Sequence, residues 1–198
     1  MGVRDIAKKI AASRAAGGGN YLKDGKGICI VKALKQENLY KGETFIAELL
    51  VETSESIPGL MENGQPVTAN SPGSTFAFIQ QFEEFPDVAF GNTKAFILTL
   101  MGESDESLVA AAAEIKASRQ KAGTLAKGED YTADDEFAAA YERLTGPQQP
   151  GRGMRISFET YRRVTKKSGK SLVLPHWEHV PQTVEQIAAT RAKLDGAA

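Results

Sequence analysis

Residues 154–180 read MRISFETYRRVTKKSGKSLVLPHWEHV, and the class of the fold turns on this stretch. Met154, Ile156, Phe158 and Thr160 fall on one side of an extended chain, and Arg155, Ser157, Glu159, Tyr161 and Arg163 fall on the other. That is the period of two expected of a strand with one buried face. Lys167, Ser168 and Gly169 make a turn, and Lys170 to Glu178 reads as a second strand. The chain thus ends its globular part on two strands that meet at a basic turn, and what precedes them fixes the architecture.

Upstream lie three more strand-like segments, at about Gly27 to Gln36, Glu43 to Thr53 and Gly73 to Phe82. In the second, Phe45, Ala47, Leu49 and Val51 alternate with Thr44, Ile46, Glu48 and Leu50, which predicts one apolar and one mixed face. Ser54 to Pro72 is rich in turn formers and reads as a long loop, and Pro86 reads as a stop to whatever follows the third strand. Helices are predicted at Asn92 to Met101, Ser104 to Lys121 and Thr132 to Leu144. Ser104 and Thr132 stand at N-cap positions, and Asp135 lies at capping-box spacing from Thr132. A linker of Gly146, Pro147, Gln148, Gln149, Pro150, Gly151 and Gly153 leads back to strand material, and Pro181 fits the first turn of a last helix reaching about Leu194. Near the start, Val3, Ile6, Ala7 and Ile10 have helical spacing, and Gly17 to Gly19 break the pattern.

The order strand, strand, strand, helix, strand, strand predicts a mainly β protein with added helices, closing as a five-stranded OB-like barrel with N- and C-terminal helices. The expected organisation is an amphipathic helix and glycine hinge at 1–18, a barrel at 19–180 with a helical insertion at 92–145, and a C-terminal helix at 181–198.

Bulk composition agrees with one ordinary globular domain: 198 residues, 41% hydrophobic and 25% charged. No run approaches the roughly 20 apolar residues of a membrane span, and Met1 to Ile6 lacks the apolar stretch of a secretion signal. The expectation is an intracellular protein with no membrane partner. Cys29 is the lone cysteine and sits in an apolar run, so no intrachain disulfide can form and a buried, inert thiol is expected. The net charge of -1 hides uneven segments. Residues 1–50 hold nine Lys and Arg against five Asp and Glu, and 151–180 hold seven against two, whereas 51–102 hold one against six and 103–145 five against ten. Such segregation predicts a positive face suited to a polyanion.

Motifs for catalysis are missing from the sequence. Gly169-Lys170-Ser171 resembles the end of a phosphate-binding loop, but position 164 is Val where that loop needs glycine, and a strand follows in place of a helix. His176 and His179 flank Trp177 and Glu178, yet three residues apart on a strand they point to opposite faces, with no cysteine or third histidine to complete a zinc shell. The acidic run Asp134 to Glu136 reads as the start of a helix, where carboxylates are favoured. The reading is a non-enzyme without metal or cofactor.

What remains is a set of basic residues interleaved with aromatics on strand material: Lys32, Lys35, Tyr40 and Lys41 in the first hairpin, and Arg155, Tyr161, Arg162, Arg163, Lys166, Lys167 and Lys170 in the last. Lys and Arg neutralise phosphates, and an exposed ring offers any base a stacking surface. A solvated hairpin with ordinary lysines accounts for the same residues. Phe76, Phe78, Phe158 and Trp177 are expected in the core.

Gly19-Asn20-Tyr21-Leu22, Phe45-Ile46-Ala47-Glu48, Pro72-Gly73-Ser74, Lys94-Ala95-Phe96 and Trp177, in that order between Gly19 and Val180, resemble a set of OB-like bacteriophage single-stranded DNA-binding proteins. The resemblance implies coating of single-stranded DNA during phage replication or recombination, in the cytoplasm of a bacterial host. Such proteins commonly end in an acidic tail that recruits partners. This chain ends Ala192-Lys193-Leu194-Asp195-Gly196-Ala197-Ala198, so recruitment of that kind is not expected. The alternative is a structural or assembly protein of a virus particle, in which the barrel is a scaffold and the terminal helices drive self-association.

Overall fold

A computed structural model describes residues 22–39, 42–62, 64–83, 86–126, 128–164 and 171–196. The expected N-terminal helix and glycine hinge lie outside these residues. The elements are β1 (Lys26–Leu39), β2 (Gly42–Glu55), β3 (Met61–Glu62), β4 (Gln65–Pro66), β5 (Thr75–Gln81), α1 (Pro86–Met101), α2 (Asp105–Ala122), α3 (Ala133–Thr145), β6 (Arg155–Val164), β7 (Ser171–His179) and α4 (Val184–Gly196). Five strands form one antiparallel sheet in the order β5-β2-β1-β6-β7, while β3 and β4 make a small hairpin inside the expected long loop. Among the described residues the helices hold as much chain as the strands, so the fold is mixed α and β rather than mainly β as expected. Among the described residues the sheet is open, with β5 and β7 as its edges. No described helix is long and apolar enough to cross a membrane.

The period-two pattern does what the sequence reading expects of it. Phe45, Ala47, Leu49 and Val51 of β2, Cys29, Val31 and Leu34 of β1, Phe76 of β5, Ile156 and Phe158 of β6 and Trp177 of β7 share one buried core with Phe96, Ile97 and Leu100 of α1 and Leu144 of α3. Phe78 is half-buried against it; the Leu172 side chain lies outside what is described. Helix α1 fills the space between the two sheet edges. The Phe96 ring stacks on Phe78 of β5 at 5.3 Å and meets Trp177 of β7 edge-on at 5.2 Å, and Phe78 and Trp177 meet edge-on at 5.5 Å.

Two bulges bend the central strands. The β1–β2 register shifts between Ile28 and Cys29 and again between Val31 and Ala33, which leaves Glu52 on β2 and Lys32 on β1 as extra residues. Beyond Ile30, β1 loses β6 as its partner, and the linker takes over the open hydrogen bonds. Val31 N–H donates to the Met154 carbonyl at 2.8 Å, Gly153 N–H donates to the Val31 carbonyl at 2.9 Å, and the Gln149 amide pairs with both backbone groups of Leu34. A buried strand must satisfy these groups, and here a side chain serves as a rung. Gly153 sits at φ +87, and a side chain there would press on the Ile187 carbonyl and on Arg191 of α4.

Two proline readings change. Pro86 opens α1 rather than ending an element, because a helix's first residue has no intrahelical N–H bond to lose. Pro181 lies before α4, whose start is capped by Thr183: its Oγ1 accepts from Gln186 N–H at 3.3 Å and its N–H donates to Gln186 Oε1 at 2.8 Å. The other caps are as expected. Ser104 and Ser107 close a capping box on α2, and Thr132 and Asp135 close one on α3. The Thr132 hydroxyl and backbone N–H hold the Asp135 carboxyl below its usual range. The stripe Ile187, Thr190, Arg191 and Leu194 of α4 is less exposed than its flanks. Arg191 donates from it to the Pro150 and Arg152 carbonyls, so this helix packs on the linker of its own chain.

Candidate nucleic-acid interface

The register sets the last rung of the β1–β2 pair, Leu39↔Gly42, and that of the β6–β7 pair, Val164↔Ser171, at opposite ends of the sheet. β1 pairs with β6 from Lys26↔Glu159 to Ile30↔Arg155, so β6 and β7 project past the beginning of β1 as far as Val164↔Ser171. Leu39↔Gly42 is at the other end. Tyr40, Lys41, Lys166, Lys167 and Lys170 lie outside the described residues.

Between these ends, Lys35, Arg155 and Arg162 of the candidate set meet carboxylates. Lys35 Nζ sits 2.6 Å from Glu48 Oε1 across the β1–β2 ladder. Arg155 forms a two-point fork with Glu52, Nε to Oε2 at 2.6 Å and Nη2 to Oε1 at 2.8 Å, reaching from β6 to β2 across β1 at Ile30. The hydrogen bond from Arg155 holds the Glu52 carboxyl below its ordinary value, against the opposing pull of partial burial. Arg162 donates from Nε and Nη2 to Asp24 Oδ2, at 3.1 and 2.7 Å. Of these pairs Arg155–Glu52 joins a basic stretch of the sequence to an acidic one, whereas Lys35–Glu48 and Arg162–Asp24 draw both partners from the basic stretches. Lys32, Tyr161 and Arg163 are exposed, and Lys32 forms no ion pair with a described residue.

The rings divide as their strand positions demand. Phe76, Phe158 and Trp177 are buried and Phe78 is packed against them, so none of the four is a stacking surface. Tyr161 is 51% exposed on the outer face of β6, two residues from Arg163. Residues two apart on a strand lie roughly 6.5 Å apart on the same face, so ring and guanidinium can act side by side. Phe90, which the sequence reading passed over, is 55% exposed and stacks on Phe82 at 4.6 Å.

His176 and His179 pair with Glu159 on the outer face and Ile156 on the inner one, and His179 Nδ1 lies 3.1 Å from the Thr99 carbonyl. Among the described residues no three His, Cys, Asp or Glu side chains come together to hold a metal. Cys29 is fully buried, and burial pushes its thiol up to about 12. A group that stays protonated does not act as a nucleophile. Folded protein at pH 8 is expected to react with a thiol reagent only as fast as it opens, and labelling in denaturant should be complete within mixing; rapid stoichiometric labelling of folded protein would show that Cys29 is accessible.

No family model, curated protein or solved structure matches this chain.

Proposed function

We propose that this chain binds single-stranded DNA without strong sequence preference and without catalysis, and that its sheet works as an OB-like barrel. The observation that carries the proposal is the strand order β5-β2-β1-β6-β7, which is the order of an OB sheet. In the barrel reading, α1 bridges the two edges through Phe78, Phe96 and Trp177. The strand of DNA lies along the β6–β7 hairpin, where Tyr161 stacks on a base and Arg163, Lys166, Lys167 and Lys170 meet phosphates. Its setting, on the sequence resemblance, is replication or recombination of phage DNA in the host cytoplasm.

Each Lys or Arg on a phosphate contributes about 0.7 to the salt slope of single-strand binding. Changing Arg163, Lys166 and Lys167 together to Ala is expected to reduce that slope by about 2 and to weaken binding to labelled oligo-dT. Tyr161→Ala is expected to weaken it by about 1 to 3 kcal/mol with the slope unchanged, because lost stacking releases few ions. Equal salt slopes for the wild type and the triple variant would remove the hairpin from the interface.

A further inference from the structure

We infer that Asp24 is a positioning residue for the β6–β7 hairpin, and that Arg162 serves Asp24 rather than the DNA; this rests on the reading just proposed. β6 is paired with β1 only as far as Lys26↔Glu159, and the part that carries Tyr161 and Arg163 projects beyond that rung. Past it, the short segment Lys23 to Gly25 holds the hairpin. Thr160 N–H donates to the Gly25 carbonyl at 2.9 Å, Gly25 N–H donates to Thr160 Oγ1 at 2.7 Å, and the Arg162 guanidinium closes on Asp24. The same segment is tied on its far side, where Asn70 accepts from Lys23 N–H at 2.9 Å and donates to the Lys23 carbonyl at 3.2 Å. Asn70 is itself buried.

Burial decides which partner Arg162 keeps. The Asp24 side chain is 4% exposed, and its Oδ1 has no hydrogen-bond partner among the described residues, so the charge is compensated through Oδ2 by Arg162. Withdrawing the cation leaves a buried carboxylate uncompensated, a far larger loss than that of an exposed ion pair. A phosphate in solvent already has water and counterions and gains less from the same guanidinium. Arg162 therefore stays on Asp24 when DNA arrives, and the pair fixes the direction in which Tyr161 and Arg163 face.

The test uses the full chain, Asp24→Asn, Arg162→Gln and the double variant, with two readouts. Without DNA, deuterium exchange at the amides of 161–164 should quicken at least about tenfold in each single variant, while β2 amides keep their protection. With labelled oligo-dT, each single variant should bind about tenfold more weakly at an unchanged salt slope, since an unfixed hairpin must be ordered on binding. The double variant should be no worse than either single one, because both charges are gone. Unchanged exchange in Asp24→Asn would overturn the positioning role, and a slope lowered by about 0.7 in Arg162→Gln would show Arg162 on a phosphate. If wild-type protein does not bind oligo-dT, the functional reading fails, and the exchange readout alone decides whether Asp24 holds the hairpin.

Discussion

Phe45→Ala is expected to lower the free energy of unfolding by about 3 to 5 kcal/mol, the largest single effect in the molecule. The Phe45 side chain has no exposed surface, and its ring lies 5.8 Å from Phe96, 6.0 Å from Tyr141 and 6.4 Å from Phe78. It is thus the point where β2, β5, α1 and α3 meet. Truncation removes its transfer free energy and leaves a void that four packed elements cannot collapse to fill. Ile79→Ala, at a site 48% exposed on β5, should cost less than about 1 kcal/mol. Urea denaturation of the two variants measures the contrast, and equal losses would place Phe45 outside the common core.

Gln149→Ala should be next in size, at about 2 to 4 kcal/mol. Gln149 Oε1 accepts from Leu34 N–H at 2.8 Å, and its Nε2 donates to the Leu34 carbonyl at 2.7 Å and the Gly146 carbonyl at 2.8 Å. Leu34 is fully buried, so truncation strands a donor and an acceptor away from water. Gln149 is also the sole non-glycine residue at positive φ among those described, at 48°. Glycine adopts that conformation without strain, so Gln149→Gly should lose the same bonds yet be about 1 kcal/mol more stable than Gln149→Ala. Thermal or urea unfolding gives the ranking wild type, Gly, Ala. Equal stability of wild type and Ala would mean that water replaces the amide at Leu34.

What could be read in the sequence was whatever depends on near neighbours. The alternation in 44–51 and 154–163 gave the strands and their buried faces, and Ser104 and Thr132 gave two helix starts, because pleat and cap are set within a few residues. Pro86 misled for the opposite reason: one residue type both ends a strand and begins a helix. The ion pairs were out of reach. Asp24 meets Arg162 and Glu52 meets Arg155 across more than 100 positions, and no local pattern marks a carboxylate for a cation that only the sheet order brings to it. Charge summed over segments therefore could not show how charges pair: Glu52 comes from an acidic stretch to balance Arg155, while Glu48 and Asp24, within 1–50, balance Lys35 and Arg162. Gln149 reads as part of a polar linker, and its role as a rung of β1 follows from tertiary packing alone.

The measurement that bears most directly on the central claim is equilibrium binding of the full chain to fluorescently labelled oligo-dT, followed by anisotropy from about 20 mM salt upward. The account predicts saturable binding at low salt that weakens linearly in log–log form as salt rises, with little difference between oligo-dT and mixed sequences. No binding at about 20 mM salt would contradict it and give the assembly role first place.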